Sequence, residues 1–415
     1  MSQTRTMDES ESIEAENPNT EEPKKQKSRR PANTAFRQQR LKAWQPILTP
    51  RTVLPLFFVV GIIFAPIGGA LLYASSLVEE ISIDYSHCYD EANNDTFTDI
   101  PSNYVNSYFK SSNYTAQQPA QWSKFDENVT YQDVPTPTRW CQLEFDITND
   151  IGPPVLFYYR LTNFYQNHRR YVKSFDQQQL EGDFRTNGSI STSDCDPLRL
   201  DNNTGKAYYP CGLIANSLFN DTFSSPLQMN APTTSGNFTY DMSQTGIAWG
   251  SDKELYKQSA YTPYDVSPPP NWQLRYPKGY EFDNALPDLH NDEAFQVWMR
   301  TAGLPTFSKL AQRNDDVVMK AGRYRVLIQD NFPVLRYGGT KAILISTRTV
   351  MGGKNSFLGI AYIVVGGLCI ALGALFTAAS VLKPRKLGDH TYLTWNNEPS
   401  TATTTGRSAR PNEAA

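Results

Sequence analysis

Histidine and cysteine are scarce in this chain, with 4 His and 5 Cys among 415 residues. His87, His168 and His290 lie far apart, no HExxH pair occurs and no Cys/His spacing suits zinc, so neither a metal nor a cofactor is expected. A GxSxG elbow is absent, which removes the most recognisable class of serine hydrolase. Acidic residues are plentiful, yet none stand out as a glycosidase pair. Two loops that suggest phosphate chemistry fail in detail. Asp201-Asn202-Asn203-Thr204-Gly205-Lys206 departs after its first residue from a phosphorylated-aspartate loop, and Gly352-Gly353-Lys354-Asn355-Ser356 lacks the upstream glycine of a nucleotide loop. Internal repeats are missing too. The chain reads as a non-enzyme, and nucleic acid is not an expected partner.

Charge is missing from two long stretches, Thr52 to Val78 and Asn355 to Leu382, which contain no Asp, Glu, Lys, Arg or His. At 27 and 28 residues, each exceeds the roughly 20 apolar residues an α-helix needs to cross a bilayer. Two transmembrane helices are therefore expected. The lack of ionisable groups inside them argues against a route for ions or charged substrates. What they do contain is small residues at helical spacing: Ala65 with Gly69, Ala70 with Ala74, Gly367 with Ala371, and Ala374 with Ala378. Such faces let helix backbones approach closely and are expected to pack against a partner. Pro66 is expected to kink the first span.

Flanking charge gives the orientation. Between Pro23 and Arg51 stand nine basic residues and no acidic ones, and Lys383, Arg385 and Lys386 follow the second span, whereas Glu79 and Glu80 open the segment between the spans. Basic residues are retained on the cytoplasmic side, so both termini are expected there and residues 79–354 in the lumen or outside the cell. The first span lies too deep for a cleaved signal peptide and reads as an uncleaved anchor. The expected setting is the secretory pathway: endoplasmic reticulum, Golgi or endosome, and plasma membrane.

The 276 residues between the spans carry 24 Lys and Arg against 32 Asp and Glu, a net charge near −8. This is ample length to bury a core. Cys88, Cys141, Cys195 and Cys211 fall here, and Cys369 falls inside the second span. Four cysteines in an oxidising compartment suggest two disulfides with three possible connectivities, of which Cys88 with Cys141 and Cys195 with Cys211 joins sequence neighbours most cheaply. Seven Asn-X-Ser/Thr sequons, at Asn94, Asn113, Asn128, Asn187, Asn202, Asn220 and Asn237, are compatible with glycosylation.

Residues 1–32 are polar and rich in Glu, Lys and Pro, the composition of a disordered tail, and residues 383–415 form a second tail. The basic juxtamembrane segment, 33–51, interleaves Phe36, Leu41 and Trp44 with Arg37, Arg40 and Lys42. It is expected to form a short interfacial helix or simply to supply positive-inside charge, with membrane lipids as its neighbours. Between the spans, runs such as Pro154 to Leu161 and Tyr324 to Ile328 read as strands, Val334 to Tyr337 and Ala342 to Thr347 as a hairpin through Gly338-Gly339, and Glu293 to Thr301 as a helix. Ser224 to Gly236 and Tyr261 to Asn271 read as loops. The expected fold is two transmembrane α-helices plus a mainly antiparallel, jelly-roll-like β-sandwich with long loops and a few short helices.

Six strings together resemble one family: Asn33 to Leu41 (NTAFRQQRL), Tyr158 to Tyr171 (YYRLTNFYQNHRRY), Cys211 to Thr222 (CGLIANSLFNDT), Gly246 to Trp249, Trp298 to Leu310 (WMRTAGLPTFSKL) and Met351 to Tyr362 (MGGKNSFLGIAY). They resemble the ligand-effect modulator and cell-division-cycle-protein-fifty family, the non-catalytic beta subunits of type IV P-type ATPases that flip phospholipids. The resemblance covers about residues 33–385. It implies a glycosylated β-sandwich above a ten-helix ATPase partner in a heterodimer, and an accessory role in folding, export from the endoplasmic reticulum and activity. It also implies a Cys195–Cys211 disulfide, a glycan at Asn220 and a second bond from Cys88 to Cys141. Animal relatives have more cysteines after the first span, so the region of Cys88 is expected to follow the fungal pattern. A two-span channel subunit and a membrane-anchored lumenal hydrolase are the alternatives.

Overall fold

The computed structural model describes residues 33–41, 48–110, 114, 118–231, 236–349 and 352–384. Two compact units divide the chain at Pro55/Leu56 and at Phe376/Thr377. In the smaller unit, Thr34–Arg40 forms turns and no helix: the Gln38 amide donates to Thr34 O at 2.9 Å, and the Arg40 amide to Ala35 O at 2.7 Å. Gln39 sits at φ 53°, which a continuing helix does not allow. The interfacial helix is thus not formed in its described part, where Phe36, Arg37 and Arg40 are exposed. Trp44 lies outside the described residues.

Two long helices, Pro50–Ser76 and Phe357–Leu382, are apolar and long enough to cross a membrane. Pro50 stands at the start, where its missing N–H costs nothing, and Thr49 and Thr52 cap one another, the Thr49 amide donating to Thr52 Oγ1 at 3.2 Å. The first helix continues through Pro66 without a break. Asn355 caps the second by accepting from the Phe357 amide at 3.1 Å.

Between the helices stands a β domain built on two antiparallel sheets, with a small two-stranded parallel sheet beside them. Its five-stranded sheet runs Phe307–Asn314, Val155–Leu161, Lys341–Ser346, Glu80–Asp84, Val105–Tyr108. The second runs Gly236–Thr239, Leu227–Ala231, Gly322–Gln329, Val134–Ile147, Gln121–Tyr131, Thr98–Asp99, and Thr222–Phe223 adds to Gly322–Gln329. The long hairpin Gln121–Tyr131 to Val134–Ile147 turns on Gln132 and Asp133, both at positive φ, the backbone a two-residue hairpin needs. Inward residues of both sheets, among them Ile83, Phe145, Phe157, Val326 and Ile343, form one buried core.

Three sequence expectations are corrected. Val334–Tyr337 is a 3₁₀ turn, and Lys341–Ser346 is a fully buried central strand pairing with Glu80–Asp84 and Val155–Leu161, so no hairpin forms there. The stretch 224–236 contains the strand Leu227–Ala231, and 261–271 contains Val266–Ser267, which pairs in parallel with Ala207–Tyr208. Long-range pairing outweighed the local Pro, Ser and Asn content.

Residues 162–306 lie between two strands that are direct neighbours, Val155–Leu161 and Phe307–Asn314. Much of this insertion forms a cap of short helices at the end of the sheets far from the membrane helices. At the end of helix Leu213–Asn216, two indoles reinforce the local bonds to its carbonyls: Trp298 Nε1 donates to Ile214 O at 2.9 Å and Trp272 Nε1 to Ala215 O at 2.8 Å. Gly212 before it, at φ 97°, lies so close to the Ser174 carbonyl that a Cβ has no room.

Candidate partner interface

No group of three His, Cys, Asp or Glu that could hold a metal occurs among the described residues. His87 stacks on Tyr104, and His290 Nδ1 lies 2.6 Å from Tyr256 O. The functional geometry is instead that of surfaces and of what keeps them rigid.

The helices meet through glycine. Gly61, Gly68 and Ser75 are buried on the first at seven-residue steps, and Gly359, Gly366 and Gly373 on the second. A Cβ on Gly68 would stand 2.8 Å from Ile363 N and 2.9 Å from Gly359 O, and one on Gly366 would stand 2.9 Å from Ala65 N. The backbones are therefore in van der Waals contact, the arrangement available where lipid gives no hydrophobic drive for association. Phe64 and Tyr362 flank the seam with centroids 5.0 Å apart.

The small residues singled out from the sequence divide over this geometry. Ala65 joins the internal seam, and Ala74 is half-buried. Gly69, Ala70, Gly367, Ala371, Ala374 and Ala378 face outward, and nothing lies within 4 Å of a Cβ built on Gly69 or Gly367. The seven-residue glycine repeat is legible in the sequence but was missed by pairing small residues four apart.

The β domain is fastened to the helices by buried polar groups. Glu79 is 6% exposed and accepts from Asn149 Nδ2 at 2.9 Å and from the Lys110 amide at 3.3 Å. Its own amide donates to Thr347 Oγ1 at 3.1 Å, and the Asn355 amide donates to Ser75 Oγ at 3.0 Å. Both helices are thus tied to the same end of the sheets.

At the far end, Lys341, 1% exposed, donates through Nζ to Asp221 Oδ2 at 2.7 Å, to Phe332 O at 2.8 Å and to Asp330. Tyr85 Oη donates to the same Asp221 oxygen at 2.8 Å, and the amides of Asn331 and Phe332 donate to the other at 2.6 Å each. Burial raises the Asp330 pKa against the pull of the Lys341 ammonium, and burial followed by the Asp221 charge raises that of Tyr85 well above the usual value. These groups are fully engaged with one another and form a structural lock. Sequence reasoning did not single out Lys341 or Asp221.

Cys88 is bonded to Cys141 and Cys195 to Cys211. Cys369 is free. Of the sequons, Asn94, Asn128, Asn187, Asn202 and Asn237 are exposed, Asn220 is half-buried beside the lock, and Asn113 lies outside the described residues. Asn187 Nδ2, the atom a glycan would occupy, donates to Gly205 O at 3.1 Å.

Comparison with known proteins completes the picture. Residues 71–386 match the family described as LEM3 (ligand-effect modulator 3) family / CDC50 family. The chain is 44% identical over 375 residues to the phospholipid-transporting ATPase accessory subunit CDC50 of Chaetomium thermophilum, covering 89% of this chain and 92% of that one. It is 43% identical over 374 residues to the phospholipid-transporting ATPase accessory subunit CRF1 of Saccharomyces cerevisiae, with 90% of each covered. To mouse cell cycle control protein 50A the identity is 40% over 366 residues, 84% of this chain and 88% of that one.

Proposed function

The chain belongs to the LEM3/CDC50 family, and from that premise we propose that it is the accessory subunit of a phospholipid-transporting P-type ATPase. It forms a heterodimer with the catalytic subunit and is not itself an enzyme. One observation carries this reading: relatives named as such subunits match over about 90% of this chain and of their own length. The partner hydrolyses ATP and moves phospholipid towards the cytoplasmic leaflet, while this chain supports its folding, export and activity. Both termini are cytoplasmic and the glycosylated β domain is lumenal or extracellular, as the flanking charges indicate. The outward stripe of Gly69, Ala70, Gly367, Ala371, Ala374 and Ala378, with the juxtamembrane residues Phe36, Arg37, Arg40 and Trp44, supplies the faces for the partner and for lipid. No observation favours a channel or a hydrolase.

Purification of the full chain in mild detergent is expected to recover a large P-type ATPase in equal amount. Recovery of the chain alone, folded and exported, would sink the proposal.

A further inference from the structure

The loop Asp315–Lys320 connects the two sheets at the end from which both membrane helices leave. One row crosses the five-stranded sheet there: Asn314 pairs with Val155, Leu156 with Ser346, and the Thr347 amide donates to Glu79 O at 3.0 Å. Glu79 follows the last residue of the first membrane helix, Ser76, by only three positions. The loop continues past this row, some three strand spacings or about 14 Å to the side of the helix.

At its tip, Val317 and Val318 are 49% and 36% exposed, although valine is among the residues most often buried. The loop is held rigidly in this posture. Asn314 Oδ1 accepts from the amides of Asp316 at 3.0 Å and Val317 at 2.8 Å, Tyr240 Oη donates to Val317 O at 2.6 Å, and Met319 pairs with Ile151. Arg313 neutralises Asp315 at 2.7 Å. In the same row but beyond the helix, Tyr108 pairs with Glu80 and is half exposed, with Lys354 Nζ 3.4 Å from its ring centroid. Tyrosine with a cation is the chemistry of a membrane–water boundary.

We propose that this end of the β domain rests on the bilayer surface, with Val317 and Val318 entering the boundary between headgroups and acyl chains and Tyr108–Lys354 anchoring the opposite side. The occupant is lipid for two reasons. The helix ends place this row at the membrane surface, and the valines stand on a convex tip, which suits a fluid apolar phase better than a complementary protein pocket. Apolar insertion carries the contact, since a domain with 24 basic and 32 acidic residues is not drawn to an anionic surface. The β domain is thereby held upright at three points, which the two helices alone do not provide.

The test uses the full chain with Cys369→Ala and Val317→Cys, spin-labelled at 317, in phosphatidylcholine nanodiscs with any co-purifying protein retained. Collision with oxygen, which concentrates in lipid, is compared with collision with a water-soluble nickel chelate. Leu304→Cys, 69% exposed at the far end of the β domain, is the reference. The oxygen-to-nickel ratio at 317 is expected to exceed that at 304 several-fold. Equal ratios overturn the proposal, and so does protection of 317 from both reagents, which would mean that protein covers the tip. Val318→Cys serves in the same assay if the first variant does not fold.

Discussion

The two membrane helices meet where glycines on each let the backbone and side chains of the other, such as Ile363 on Gly68 and Leu72 on Gly359, come close, whereas the far end of the β domain is held by polar side chains reaching across long distances in sequence. In the first region, Gly61, Gly68, Gly359 and Gly366 bring backbones together along one narrow seam. In the second, Lys341 joins Asp221 and Asp330 while indoles close the end of a helix. The difference follows from the solvent. Lipid offers no hydrophobic gain for burying a leucine, so close backbone packing must suffice. Water rewards burial, and a buried charge is then tolerable only when fully paired. The seam leaves most of each helix bare for other proteins, whereas the lock leaves nothing free for chemistry.

The largest effect should come from breaking the lock. Lys341→Met leaves two carboxylates buried without their cation, a change that typically costs about 3–5 kcal/mol. Thermal unfolding of the intact chain in detergent should show a large fall in midpoint. An unchanged midpoint would mean that the far end does not depend on charge pairing and would collapse the contrast with the membrane seam.

A smaller effect, of about 1–3 kcal/mol from overpacking, is expected for Gly68→Val, whose Cβ meets Gly359 O at 2.9 Å. Gly69→Val, one position along, meets nothing within 4 Å and should leave the helix pair intact. Cysteines introduced at Phe64 and Tyr362, whose rings are 5.0 Å apart, report on the seam through their cross-linking yield. That yield should fall for Gly68→Val and hold for Gly69→Val, while co-purification of the ATPase should fall for Gly69→Val. Equal cross-linking in both variants would show that the seam tolerates side chains after all.

The same contrast explains what could be read in advance. The spans were legible because lipid forbids charge over a contiguous stretch, and the strands 155–161 and 322–329 because their apolar and aromatic residues cluster locally. The position of Lys341–Ser346 was not, because its partners Glu80–Asp84 lie some 260 residues away and the adjacent Gly338-Gly339 suggested a local turn. Lys341 carried one weak signal, a lone cation at the head of the apolar run Ala342-Ile343-Leu344-Ile345. Val317 and Val318 carried none, since two valines beside two aspartates look like any loop until the sheets show which end they occupy.

A second buried lysine, on strand Phe307–Asn314 beneath the cap, sharpens the comparison further. Lys309 Nζ donates to the carbonyls of Val297, Trp298 and Arg300 at 2.7, 2.8 and 2.6 Å, closing the end of helix Glu293–Met299, but no carboxylate accompanies it. Burial, helped by the Arg300 charge, pushes its pKa from 10.5 down to about 7. The unfolded chain keeps the ordinary value, so between about 7 and 10.5 it holds a proton that the folded chain has released, and stability rises with pH across that window. Relative to Lys309→Met, the wild type should gain about 1 kcal/mol between pH 6 and pH 8. Melting of both proteins across that range measures it. A constant difference would mean that three carbonyls alone sustain the buried ammonium, and that the paired carboxylates around Lys341 are more than charge balance requires.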